Sequence, residues 1–499
     1  MTAPDPAAPV LAAPDFAARR AALSPDAPAF VDHGTGCTWT FAMVDAEAQR
    51  LAGGLRAAGH PPGARIGVLS LNRAEVFVAL FAARKAGLIL VPLNWRQPVA
   101  ELGPVVATTG IAAVIHDTAH AGSVAALGLP GIAMADAGGF APLPAHAAPP
   151  PAPMAETDPW YLLLTSGTTG TPKAVVQTPR MTLACAVNIA QALGLGADDR
   201  SACYLPLFHT AGLNLFALPL FLWGGCSHIL PRFDAATLLA MIDRGDVTQF
   251  FGVPTIYHAF RHHPDLTRTD LGRVRGYACG GAALPVDLIA FFAGRGAQIC
   301  NGYGMTETGP TGFLIDRAAA LTRIGSVGKP QMLTEARLDG VPDGAPGTGE
   351  ILMRGATVTP GYFANPAADA AAFTPDGWLR TGDVAMRDAD GYYTIVDRLK
   401  DMFISGGENV YPAEVERVLD THPAILESAV IGVPEPAWGE VGRAFLVPRP
   451  GAVPDLAALP GWCRARLAAY KVPRSFRLLD ALPRTPAGKV CKPVLRAMR

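Results

Sequence analysis

A short apolar run, Trp160 to Leu164, leads directly into Thr165-Ser166-Gly167-Thr168-Thr169-Gly170-Thr171-Pro172-Lys173. Hydroxyl residues, two glycines and a lysine in one turn are suited to holding a polyanion. Glycine lets backbone N–H groups approach phosphate oxygens closely, the hydroxyls add donors and the lysine adds charge. A flexible Ser/Thr/Gly linker has a similar composition, but few linkers follow a buried strand and close on Pro-Lys. The spacing GxxxxGK[ST] is absent, so P-loop NTPase chemistry is not indicated.

Six further strings carry residues with chemical potential. They are PLFHTAGLN from Pro206 with His209, GGAALP from Gly280, NGYGMTETGP from Asn301 with Tyr303 and Glu307, GWLRTGD from Gly377 ending on Asp383, DRLKDMFISGGENVYPAEVE from Asp397, and PRTPAGKV from Pro483 with Lys489. Singly, each has a plainer reading: a loop acid at Glu307, a core aromatic at Tyr303, turn chemistry at Asp383, a surface ion pair at Arg398 and a solvated lysine at Lys489. His209 reads equally as a buried structural histidine. Together and in this order, the seven strings resemble the adenylate-forming superfamily of acyl-CoA synthetases, aryl-CoA ligases, luciferases and peptide-synthetase adenylation domains. The resemblance covers nearly the whole chain and points to its acyl-CoA ligase branch.

That resemblance implies roles residue by residue. Thr165, Ser166, Gly167, Thr168, Thr169, Gly170 and Lys173 fall on the phosphate loop. Gly281, Ala282, Ala283, Asn301, Tyr303, Gly304, Met305 and Thr306 fall on the walls of the ATP/AMP site, with Tyr303 against adenine. Asp383 falls on the residue that accepts the ribose hydroxyls, and Arg398 on the basic residue beside it. Glu307 falls on the Mg²⁺ ligand, since a hard cation wants a carboxylate next to the phosphates it bridges. Thr165, His209, Glu307 and Lys489 are the implied catalytic set. Lys489 would reach the acid and the α-phosphate, where an ammonium offsets the repulsion between a carboxylate and a polyanion. The implied reaction joins a small-molecule carboxylic acid to ATP, with Mg²⁺, giving acyl-AMP and pyrophosphate; coenzyme A then releases AMP. For that second step the resemblance implies a hinge at Lys400 that withdraws Lys489 and brings Ser405, Gly406 and Gly407 to a tunnel for the pantetheine arm.

The acid pocket implied in the same way comprises His209, Ala211, Leu215, Gly252, Ala278, Gly280, Gly281, Gly304, Pro310 and Thr311. None is Lys or Arg, and an unpaired buried carboxylate costs several kcal/mol, so dicarboxylates are disfavoured. Small residues at Ala211 and Ala278 suggest room for a long or bulky tail. The expectation is therefore a medium- or long-chain fatty acid first and an aryl acid of the coumarate or ferulate type second. Ala174 departs from the family, which commonly has glycine after the loop lysine; a positive φ there would strain alanine. Rival functions are loading of a carrier protein in trans, luciferase-like oxidation of the adenylate, and binding without catalysis, the last opposed by intact Lys173, Glu307, Asp383 and Lys489.

The elements that must position these groups read as α/β. Helical spacing covers Asp45 to Ala58, Ala74 to Lys85 and Glu101 to Ala107, and strands are expected at Arg65 to Ser70, Leu88 to Pro92 and Ile111 to His116. Such alternation predicts a parallel sheet covered by helices. Ala141 to Asp158 is Pro/Ala-rich and reads as an irregular connection. A second α/β region spans Trp160 to Val327, and Gly328 to Asp397 reads as a β-rich lobe. Beyond Arg398 an α+β unit is expected, with helices over Pro412 to Leu419 and Leu456 to Ala469 and strands at Ser428 to Val433 and Ala444 to Pro448. The expected organisation is an adenylation domain over 1–397 and a mobile lid over 398–499.

Composition narrows the class further. With 41 Lys plus Arg against 42 Asp plus Glu, there is no broad basic face for nucleic acid. Eight scattered cysteines lack metal-ligand spacing and suit a reduced cytoplasm. The N-terminal stretch has no signal-peptide pattern. Leu213 to Trp223 is too short to span a bilayer and contains Pro219, so no membrane span is expected. A homodimer is the one assembly considered.

Overall fold

The computed structural model describes residues 11–141, 153–165, 173–282, 284–405, 408–435, 438–485 and 488–498. Ser166, Gly167, Thr168, Thr169, Gly170, Ala283, Gly406 and Gly407 lie outside the described residues, as does most of the Ala141 to Asp158 connection.

Among the described residues the strands form four sheets. In the first, the order is Gly131–Ala133, Ile111–His116, Arg65–Leu69, Ile89–Pro92, Tyr161–Thr165 and Lys173–Gln177. Its pairings are parallel except the last, which is antiparallel. The second sheet has six parallel strands at its centre, Ile299–Tyr303, Gly276–Cys279, Gln249–Gly252, Arg200–Cys203, Cys226–Ile229 and Pro28–Asp32, with antiparallel strands at its edges. The expected helix-covered parallel sheet is thus present twice.

Between the two sheets lies the helix Ala74–Ala86, buried on every side. A helix apolar over most of its surface belongs in a core, and this one brings Phe77 and Phe81 against Phe30 and Phe221, with ring centroids 4.7 Å (Phe30–Phe77) and 4.6 Å (Phe81–Phe221) apart. Burying each such ring contributes about 1.5–3 kcal/mol; Phe221→Ala would cost about 3–5 kcal/mol. Its charges are paired: Glu75 with Arg73 at 2.9 Å and Lys85 with Asp15 at 2.8 Å. Gly87, at φ +70°, ends the helix in the left-handed region.

The β-rich lobe is an antiparallel sheet of Thr334–Leu338, Gly347–Gly355, Leu379–Arg387 and Tyr393–Arg398. The smaller C-terminal domain packs Pro412–Asp420 on a sheet built around Ile425–Glu435 and Gly439–Pro448. Two helices differ from expectation. The first begins at Phe41, not Asp45, because Thr40 caps it, its hydroxyl accepting from Met43 N at 3.2 Å. The helix expected over Leu456 to Ala469 is only Leu459–Arg464, with a separate turn at Ala469–Lys471. Pro460 accounts for the late start: proline cannot sit in a helix interior but fits its first turn. The apolar Leu213 to Trp223 stretch splits between Thr210–Asn214 and Ala217–Trp223, and among the described residues no helix is long and apolar enough to cross a membrane.

Candidate active site

Parallel sheets bind ligands beyond the carboxyl ends of their strands, and the chemistry-bearing residues gather there. Thr165 ends one strand, pairs directly with Lys173 on the next, and donates its hydroxyl to the Lys173 carbonyl at 3.4 Å. The loop between them is therefore held at both ends by a sheet ladder. Ala174 is an ordinary strand residue opposite Leu164, its carbonyl accepting from Phe363 N at 2.8 Å. The strain anticipated at Ala174 is absent: among the described residues the non-glycine with positive φ is Ala364.

The Lys173 ammonium lies 4.9 Å from the centre of the Tyr362 ring. Tyr362 in turn donates its hydroxyl to Glu307 Oε1 at 2.9 Å. Two hydrogen bonds hold the backbone around Glu307: Thr359 N donates to the Glu307 carbonyl at 2.8 Å, and the Gln177 side chain donates through Nε2 to the Thr306 carbonyl at 3.0 Å. Glu307 is 6% exposed. Burial raises its pKa, opposed by the Tyr362 hydroxyl and by the charges of Lys173 and Arg398. Among the described residues no group of three or more His, Cys, Asp or Glu side chains could enclose a metal. One buried carboxylate suits Mg²⁺ none the less, because that ion is commonly held by one or two carboxylates together with substrate phosphates and water.

Asp383 and Arg398 face each other across adjacent strands, Arg398 Nε standing 3.1 Å from Asp383 Oδ1. The other oxygen, Oδ2, accepts the Tyr303 hydroxyl at 2.6 Å. A carboxylate offers about four lone-pair sites, so two remain for a diol. Burial, then the Asp383 charge, push the Tyr303 phenol well above its usual pKa. Tyr303 also packs against Phe313, with centroids 5.9 Å apart. Asn301 is buried and its Oδ1 has no partner, Gly281 takes φ +81°, and Ala282 is exposed. Met305 opens the short turn that carries Glu307.

Lys489 reaches the same region from the C-terminal domain, on a loop closed by a bridge between Arg484 and Val490. Much of the residue is open to solvent, yet its ammonium end is desolvated enough to lower its pKa; Arg398 lowers it further, while Asp383 and Glu307 oppose the shift. His209 stands at the N-cap position of the helix Thr210–Asn214 without a side-chain capping bond, its ring 4.9 Å from that of Phe208. Burial first, then the charges of Lys489 and Arg96, bring its pKa down to about 4. It is neutral near pH 7 and a weak base. Sequence reasoning missed Tyr362 and also the group beside His209. There Arg96 lies 4.6 Å from the centre of the Trp95 ring and Arg232 lies 5.5 Å from it. The signal available was Trp-Arg just beyond a strand end.

The residues nominated for the acid pocket divide into two kinds. Ala211, Leu215 and Ala278 belong to one apolar cluster with Phe216 and Phe251, and a Cβ on Gly280 would stand 3.5 Å from the Phe251 ring. Gly252 and Gly304 have another reason to be glycine. A Cβ at Gly252 would come within 2.9 Å of Tyr257, and one at Gly304 would collide with the Pro310 carbonyl; both allow close packing rather than open space. Thr311 is buried next to that carbonyl. A small cavity beside Ala211, Phe216 and Phe251 is lined also by Ser201 and Ser227, each 1% exposed with an unpartnered hydroxyl. Ser405 is 1% exposed within the C-terminal sheet, paired with Glu408 and Gly439. Leu399 still donates to the Gly382 carbonyl at 2.8 Å, so Lys400 is the next residue along.

Residues 17–363 match the family described as AMP-binding enzyme, and residues 414–489 match the AMP-binding enzyme C-terminal domain. A feruloyl-CoA synthase of Amycolatopsis sp is 44% identical over 96% of this chain and 97% of its own length. A long-chain-fatty-acid–CoA ligase of Mycobacterium tuberculosis is 34% identical over 96% of each. Among solved structures, an o-succinylbenzoate CoA synthetase from Bacillus subtilis in complex with its acyl-adenylate intermediate is similar with a TM-score of 0.87 and 32% identity, covering 98% of this chain and 99% of that one.

Proposed function

We propose that this chain, which belongs to the AMP-binding enzyme family and is an AMP-forming acyl-CoA ligase using ATP, Mg²⁺ and coenzyme A, activates an aryl acid of the coumarate or ferulate type. The observation that carries the substrate reading is the 44% identity to feruloyl-CoA synthase, against 34% to the long-chain-fatty-acid–CoA ligase. It reverses the order expected from sequence, where the fatty acid came first. The pocket chemistry agrees: small Ala211 and Ala278 beside the Phe216 and Phe251 rings suit a flat ring, since aromatic pairs gain beyond their buried area. No Lys or Arg is among the nominated pocket residues, which still disfavours dicarboxylates.

In the first half-reaction, Lys173 and the phosphate loop hold the triphosphate, Asp383 and Arg398 hold the ribose, and Tyr303 lies along the adenine. Glu307 would hold Mg²⁺, which supplies charge neutralisation at the phosphates. Lys489 brings the acid carboxylate to the α-phosphate and offsets the charge gathering on its oxygens. In the second, the C-terminal domain turns about Lys400 and withdraws Lys489. Ser405 and the two glycines after it then approach the thiol tunnel. Arg96 and Arg232 put positive charge near the Trp95 ring, on the His209 side of the site.

A panel of hydroxycinnamic, benzoic, fatty and short-chain acids, scored by AMP release with coenzyme A present, tests the assignment. Highest kcat/KM for hydroxycinnamic acids is expected; turnover confined to fatty acids, acetate or malonate overturns it.

A further inference from the structure

The helix Pro412–Asp420 is the first after Lys400, and its start is poorly provided for by its own sequence. Tyr411, at the N-cap, makes no side-chain capping bond. Pro412 has no N–H, so Ala413 offers an early N–H that a Ser, Thr, Asp or Asn cap would ordinarily satisfy. That bond comes instead from across the hinge: Ala413 N donates to Asp397 Oδ2 at 2.7 Å. Asp397 belongs to the β-rich lobe, paired with Val384, and is 8% exposed. Its Oδ1 accepts from Arg398 N at 2.6 Å.

A second set of contacts runs from the same place to the Lys489 loop. Directly after that loop comes the helix Lys492–Ala497. Lys492 pairs with Glu416 at 2.9 Å, and its charge also favours the Asp397 carboxylate. Arg496 pairs with Asp401 at 2.8 Å. In this orientation the Lys489 ammonium lies in the fields of Glu307 and Asp383.

We propose that Asp397 is a positioning residue for Lys489: by capping the helix Pro412–Asp420 across the hinge, it favours the orientation in which Lys489 serves adenylation. The inference rests on the two-orientation reading given above. Turning about Lys400 leaves Asp397 with Val384 and carries Ala413 away, so the capping bond belongs to one orientation only. Losing an N-cap acceptor shifts an equilibrium by about 2- to 30-fold, which sets the size of the effect.

The test measures both half-reactions of the full-length enzyme: acid-dependent ATP–pyrophosphate exchange, and thioester formation from supplied acyl-adenylate and coenzyme A. Asp397→Ala should lower exchange by about 2- to 30-fold while thioester formation is kept or increased. Should that variant not fold, Asp397→Asn, which keeps one acceptor oxygen, is measured in its place. Tyr411→Ser separates positioning from helix stability. With Glu414 it completes a Ser-x-x-Glu capping box, so the helix is capped in either orientation. In Asp397→Ala/Tyr411→Ser, thermal stability should recover and exchange should stay low. Parallel loss of both half-reactions, a change confined to the KM for ATP, or recovery of exchange in the double variant overturns the inference. Lys489→Ala, run alongside, tests the parent reading on its own: if it abolishes both half-reactions, the two-orientation scheme fails whatever Asp397 does.

Discussion

Replacing Tyr362 by Phe should move the acidic limb of adenylation to higher pH. Phe keeps the ring face that Lys173 approaches, and so the cation–π contact, but removes the hydroxyl 2.9 Å from Glu307 Oε1. A hydrogen bond to a charged acceptor contributes about 1.5–3 kcal/mol, and one pKa unit corresponds to about 1.36 kcal/mol. Because the hydroxyl favours the ionised form, its loss should raise the Glu307 pKa further, in the direction burial already pushes it. Only the carboxylate serves a divalent cation, so pyrophosphate exchange should fail at a higher pH than in the parent enzyme, with near-parental rates on the plateau. Stability follows the same sign. A carboxyl with a raised folded-state pKa costs stability once pH exceeds its unfolded value, and that cost disappears below it. The Tm gap between variant and parent should therefore be widest near neutral pH and narrow toward about pH 4. An unmoved limb, or a loss of equal size at every pH, would refute the role given to this bond.

Lys489→Ala should abolish most adenylation yet spare thioester formation from supplied acyl-AMP. The same substitution should raise the His209 pKa from about 4, since a nearby cation is lost; imidazole titration by NMR checks the direction. Asp383→Asn should raise the KM for ATP roughly 10- to 150-fold, the range for losing a hydrogen bond to a charged group, and let the Tyr303 phenol titrate at lower pH, read by ultraviolet absorbance. If the cavity lined by Ser201 and Ser227 receives the far end of the acid, the double change of both to Ala should cut the preference for ring-hydroxylated over unsubstituted acids by about tenfold; an unchanged kcat/KM ratio tells against that placement.

Much of the fold was legible because its signals are local. Ile111–His116 and Ala74–Ala86 show in their apolar periodicity, and Pro412 marks a helix start. Where two local rules compete, periodicity alone misleads: Thr40 extends one helix backwards and Pro460 cuts another short. The site residues came from strings whose order along the chain carries information. Tyr362 did not, because its bond to Glu307 joins positions 55 apart, and nothing near Tyr362 marks it as other than a packed aromatic. Asp397 was visible only as the first letter of a motif, since its partner at Ala413 is a backbone N–H, which leaves no trace in sequence. Gly252 and Gly304 stand among the nominated acid-pocket residues, although the space beside each is filled by Tyr257 or Pro310.

The helix Ala74–Ala86 also carries a consequence for biosynthesis. Part of its cover is Phe221, against Phe81, and Phe221 leaves the ribosome long after the helix does. At about 5–20 residues per second, the delay is on the order of ten seconds. Throughout that time the face of this helix that Phe221 will cover stays open, while its other side can already meet Phe30 and the helix Phe41–Ala57 and its Arg84 and Lys85 can find Asp15. Those early ion pairs keep a nascent apolar segment hydrated at one end, and a charge-removing change at Asp15 should show first as lower soluble yield during synthesis, before any loss of activity in the finished enzyme.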